Sequence, residues 1–116
     1  MIPNPTKMSL ENTKAQMRKG ILEYCILSLL SHKEAYASEL IGRLKEAELL
    51  VVEGTIYPLL TRLKREGFLQ YRWEESSGGP PRKYYMITQT GREVLSELEK
   101  SWKQLVNSVE QLRNQT

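Results

Sequence analysis

Between Ser9 and His32 the apolar positions change character halfway. In "SLENTKAQMRK" Leu10 and Met17 are the large apolar points in a polar run, whereas "ILEYCILSLL" is apolar on nearly every side from Ile21 onward. With Ser9 as its cap, this pattern predicts one helix whose second half reaches the centre of a core. Its first half lies at an edge or against a partner. Met1 to Met8, with two prolines and no periodicity, reads as a loose tail. "YASELIGRLKEAE" then spaces Tyr36, Leu40, Ile41, Leu44 and Ala47 for a second helix. In a third, "EGTIYPLLTRLKREG", Ile56, Leu59, Leu60 and Leu63 form the buried stripe and Gly67 supplies a left-handed stop. Pro58 sits early in it, where the carbonyl it would crowd belongs to Gly54.

After Gly67 the period changes. "FLQYRW" alternates, with Leu69, Tyr71 and Trp73 on one face, and "KYYMI" is a second strand. The span from Glu74 to Arg82 is longer than a tight turn needs, so the hairpin is expected to carry a projecting tip. A last helix starts at Thr88 or at Thr90, the latter completing a T-x-x-E box with Glu93. Leu95, Leu98, Trp102, Leu105, Val109 and Leu112 follow in alternating steps of three and four, a narrow seam suited to a partner helix. At 1.5 Å per residue this helix would be ~37 Å long, more than a small domain needs. Three helices and a hairpin predict a mainly α fold with a small β-hairpin, a winged helix-turn-helix over residues 9–88. A dimerisation helix over 89–116 completes the chain.

On the third helix, the face opposite the buried stripe is centred on Gly54, Pro58, Thr61 and Arg65. Thr55 and Arg62 flank it on one side, Tyr57 and Lys64 on the other. Arginine can bind guanine bidentately, threonine can touch a thymine methyl and lysine can neutralise phosphate. In the hairpin, Gly78 and Gly79 allow close approach to a backbone, Pro80 and Pro81 stiffen the return, and Arg82 and Lys83 supply charge. One of Tyr84 and Tyr85 packs inward and the other, Tyr84, can help anchor the wing. Net charge is only +3, so the grouping of cations between Arg62 and Arg92 has to carry the argument for double-stranded DNA.

Other chemistry is sparse. Cys25 is the sole cysteine, inside an apolar run too short to span a membrane, which excludes an internal disulfide and points to a reducing cytoplasm. His32 is the sole histidine, so neither a metal site nor a Cys–His or Ser–His catalytic arrangement has support. No enzyme and no cofactor are expected.

The blocks "MRKGILEYCILSLL", "EGTIYPLLTRLKREGFL" and "GGPPRKYYMITQTGREVL", in this order and spacing, resemble the PadR family of bacterial transcriptional regulators in its short form. The resemblance implies a homodimeric winged-helix DNA binder, usually a repressor, released from a pseudo-palindromic operator by a small molecule. It also implies that the helix matching Glu53–Glu66 reads the major groove, that Ser76–Lys83 contacts flanking DNA, and that the helix after Thr88 builds the dimer. "YASEL" departs from the family, where glycine commonly follows the tyrosine. Some short members bind flat aromatic compounds between tryptophans, which makes Trp102, with Met17 and Tyr24, candidate ligand contacts. Two other readings remain open: a winged helix that binds a protein partner, and a dimeric small-molecule binder with a secondary DNA role.

Overall fold

The computed structural model describes residues 5–50 and 52–115. The helix expected from Ser9 to His32 is two helices, α1 (Pro5–Lys19) and α2 (Leu22–His32). Between them Gly20 and Ile21 form a turn, closed by the Ile21 N–H on the Arg18 carbonyl at 3.1 Å. A helix-interior glycine costs about 1 kcal/mol, and the break falls at the one point where an exposed amphipathic segment meets a buried one. Residues Pro5–Met8, expected in a loose tail, belong to α1, with Pro5 at the first helical position where no donor is missed. Ser9 is therefore interior to α1, and its carbonyl accepts from the Thr13 hydroxyl. Met1–Asn4 of that expected tail lie outside the described residues.

The core is built by α2, α3 (Ala37–Glu46) and α4 (Ile56–Arg65). Its centre is filled by Ile26, Leu27 and Leu30 of α2, Leu40 and Leu44 of α3, and Ile56, Leu60 and Leu63 of α4. A short 3₁₀ turn, Glu53–Thr55, leads into α4. Gly67 closes α4 at φ +84°, and the next amide, Phe68 N–H, returns to the Leu63 carbonyl at 2.9 Å. Cys25 is a half-buried member of this packing, and burial pushes its thiol pKa up.

The sheet has three antiparallel strands, where two were expected: β1 (Ala35–Tyr36), β2 (Leu69–Ser76) and β3 (Gly79–Ile87), in the order β1-β3-β2. β1 is two residues long and exists only by pairing Ala35 with Tyr85 and Tyr36 with Tyr84. Tyr36, expected inside a helix, instead precedes α3, and its N–H donates to the Glu39 carboxylate at 3.1 Å. The long tip expected over Glu74–Arg82 is also absent. Ser76 pairs with Gly79 across a two-residue turn, with Gly78 at φ +74°. Pro80 and Pro81 fall where the register slips between Glu74 and Ser76, so the missing N–H groups interrupt no regular ladder. The Ser76 hydroxyl fastens the slip by donating to the Pro80 carbonyl at 2.8 Å. The wing is a two-stranded ribbon closed by a tight turn.

The last helix, α5 (Gln89–Arg113), starts from Thr88. The Thr88 hydroxyl accepts from Gly91 N–H at 2.9 Å and donates to the Gly67 carbonyl at 2.7 Å, so one side chain ties α5 to the end of α4. Gly91 is buried: a Cβ there would overlap the Phe68 carbonyl oxygen and come within 2.8 Å of the Ile87 side chain. Val94, Leu95 and Leu98 pack against the core, and from Trp102 onward α5 extends beyond it. The whole is a mainly helical winged-helix fold with a long C-terminal helix. Among the described residues no helix is long and apolar enough to cross a membrane, and no group of metal-ligating side chains comes together.

Candidate nucleic-acid interface

Helix α4 turns Ile56, Leu60 and Leu63 inward, which leaves Tyr57, Pro58, Thr61, Lys64 and Arg65 exposed on the opposite surface, with Thr55 half-buried beside them. Tyr57 keeps 52% of its surface open. Arg65 has no ion-pair partner among the described residues. Arg62 differs: it forms an ion pair with Glu23 of α2. Glu53, the acid at the start of this segment, is occupied by Lys45 at 2.9 Å, a hydrogen bond that holds its carboxyl below the usual range.

The wing stands beside this surface. Tyr71, Trp73, Lys83 and Tyr85 share the face of the ribbon nearer α4, and Tyr85 at its base is buried in the core. The Lys64 ammonium of α4 lies 5.3 Å from the centre of the Tyr71 ring, and the Lys83 ammonium of β3 lies 4.6 Å from the same ring. Two cations from different elements thus converge on one phenol, in the channel between helix and wing. Each such contact is worth about 0.5–1 kcal/mol at an exposed site, enough to bias long side chains toward one position.

The other face of the ribbon is organised differently. Tyr84 is half-buried, 4.8 Å from the Tyr36 ring, with the Arg72 guanidinium 4.6 Å above it. Arg72 also pairs with Glu74 and Glu34, and the Glu74 hydrogen bond, ahead of that to Glu34, raises its pKa. Tyr84 therefore stiffens the wing from the face opposite Lys83. Arg72 is neutralised locally, and Arg92 of α5 reaches the Ser31 carbonyl, so neither joins the cations around α4. Arg82 lies 4.0 Å over the Tyr36 ring, and Gly78 and Gly79 are exposed at the tip.

Sequence reasoning missed Trp73, which is 60% exposed on the Lys83 side of the wing. The strict alternation of β2 was the available signal, since it sets Trp73 on the face of Tyr71.

Of the candidate ligand contacts, the structure brings Trp102 and Tyr24 together, with ring centres 6.4 Å apart. Burial, then the nearby Glu99 carboxylate, pushes the Tyr24 phenol pKa up. Met17 is 79% exposed on α1. The seam residues divide: Leu95 and Leu98 are half-buried against the core, whereas Trp102, Leu105, Val109 and Leu112 are exposed.

Comparison with known proteins matches residues 26–97 to the model of the transcriptional regulator PadR-like family. A protein of Lysinibacillus sphaericus, described as uncharacterized, is 32% identical over 92 residues, which cover 77% of this chain and 84% of that one. Among solved structures, a PadR-like transcription factor from Bacteroides fragilis is 59% identical with a TM-score of 0.72, over 87% of this chain and 98% of that one. A PadR family transcriptional regulator from Eggerthella lenta is 32% identical with a TM-score of 0.87, over 96% and 97%.

Proposed function

The chain belongs to the PadR-like family of transcriptional regulators, and on that premise we propose that it is a cytoplasmic, homodimeric, sequence-specific repressor of a pseudo-palindromic operator. The observation that carries the reading is the surface of α4 beside the wing. There Thr61, Lys64 and Arg65 stand exposed, neither cation is paired with an acid among the described residues, and Lys64 and Lys83 converge on Tyr71. A helix in the major groove would use Thr61 and Arg65 on base edges, and the lysines would neutralise phosphates on either side. A second copy, joined through the exposed half of α5, sets two such helices about one turn of duplex apart, ~34 Å. A winged helix built to grip a protein would instead turn apolar side chains outward from α4.

Lys64→Ala combined with Arg65→Ala is expected to weaken duplex binding by at least about tenfold and to lower the slope of log affinity against log salt by roughly two. Fluorescence anisotropy over a salt series measures both. Unchanged affinity and slope in a folded variant would refute the proposed reading surface.

The pair Tyr24–Trp102 supports a second element of the proposal, relief of operator binding by a planar aromatic compound held against α5. The expected result is saturable quenching of tryptophan emission by such compounds, lost in Trp102→Leu. Release of DNA additionally requires that the compound bind more tightly to a geometry unable to span both half-sites. If saturating compound leaves DNA affinity unchanged, this element fails while the DNA-binding reading stands.

A further inference from the structure

The wing and the two helix starts beside it enclose a groove that the reading surface of α4 does not account for. Its walls are Tyr36 and Ser38 at the start of α3, Tyr57 at the start of α4, and Trp73, Arg82 and Lys83 on the wing. We infer that this groove holds one sugar–phosphate strand of the bound duplex, with the Trp73 indole lying directly against a deoxyribose. The inference rests on the DNA-binding reading above and assigns a contact to Trp73, Tyr36 and Ser38 beyond the α4 surface.

Three observations support it. First, the groove contains no carboxylate among its lining residues, and two cations border it, so its charge matches a polyanion. Second, its rings are open to solvent although the core lies close by: Trp73 is 60% exposed and Tyr57 52% exposed. Third, the Trp73 ring is held in place. It meets the Tyr71 ring edge-on at 5.8 Å and 85°, with the Lys83 ammonium 5.6 Å from its own centre. A preoriented aromatic surface loses little side-chain freedom on binding.

A nucleic-acid strand alternates apolar sugar edges with anionic phosphates. A groove with aromatic walls and a cationic border presents the matching alternation: rings for the sugars, Arg82 and Lys83 for the phosphates, and the Ser38 hydroxyl as a further donor. A peptide partner rich in apolar side chains would leave both cations facing it without compensation. Apolar contact with a sugar carries no sequence information, so Trp73 contributes affinity and register, while discrimination between bases remains with α4.

The test uses the intact chain of 116 residues. Tryptophan emission of the parent should shift and quench as duplex DNA is added in dilute buffer, and the Trp73 contribution is the part of that change lost in Trp73→Phe, whose remaining indole is Trp102. The change should follow the binding curve measured by anisotropy on labelled DNA. Separately, Trp73→Ala should lower duplex affinity by about tenfold, the equivalent of roughly one buried aromatic contact, with the salt slope unchanged because no charge is lost. Trp73→Phe should recover most of the affinity. Trp73 emission that stays constant at saturating duplex overturns the inference. So does a Trp73→Ala affinity within twofold of the parent, or a salt slope that falls by about one, which would mean that the indole acts only by placing Lys83. In each of those cases the parent still binds DNA and the broader reading survives. A parent that binds no duplex at all overturns both.

Discussion

A variant carrying Leu105→Glu and Val109→Glu is expected to sediment as a single subunit and to lose at least about a hundredfold in operator affinity. Both side chains lie on the part of α5 that has left the core behind, and Leu105 is 57% exposed. With Trp102, Val106 and Leu112 they form an apolar strip on one side of a helix. Opposing a two-fold mate, each would be covered by its counterpart, and a carboxylate at either position would be buried against another. The reading heads are left intact by these changes, because the core contacts of α5 end at Leu98. The loss therefore reports linkage alone: two heads on one frame bind the second half-site intramolecularly, and a single head does not. Analytical ultracentrifugation with a gel shift on the same sample checks it. A double variant that remains paired, or separates yet binds like its parent, would count against the assembly proposed.

Of the glycines, Gly91 should be the one where a change to alanine meets the worst overlap. The added carbon would occupy the space of the Phe68 carbonyl oxygen, which is backbone and cannot rotate away. The start of α5 would have to lift off the Phe68 backbone, straining the two hydrogen bonds of Thr88. Overpacking of this kind costs about 1–3 kcal/mol, which corresponds to a fall in melting temperature of roughly 10 °C for a domain of this size. Gly42→Ala is the control. It lies inside α3, a Cβ there meets nothing within 4 Å, and alanine should stabilise the helix by about 0.5–1 kcal/mol. Thermal unfolding followed by circular dichroism compares the two. Equal melting temperatures would mean that the junction of α5 with the Phe68 backbone is looser than its geometry implies.

Much of this architecture is legible in the chain because it rests on local signals. The stripe of Ile56, Leu60 and Leu63, the stop at Gly67 and the three-four steps of α5 each depend on residues within a few positions of one another. What escapes depends on partners far away in sequence. β1 owes its existence to Tyr84 and Tyr85, some fifty residues later, and no two-residue run announces that. By helical angle Arg62 flanks the exposed face of α4, and no periodicity within α4 could reveal its ion pair with Glu23 of α2. The hairpin escapes for a different reason. Two adjacent prolines normally argue against a strand, and only the slipped register between Glu74 and Ser76 accommodates them. Gly91 offers no signal beyond its identity, since the need for it comes from a carbonyl brought close by the return of the chain.

That slipped register has a bearing on solubility. Among the described residues no strand pairs with β3 on the β1 side beyond Tyr84, and an unpaired border of this kind ordinarily recruits strands from other molecules. Here Pro80 and Pro81 offer no amide hydrogens and Arg82 follows with its charge, so the outer border is a poor template for fibril growth. On that border, at least, the β-finger offers a strand from another copy few amide hydrogens with which to pair.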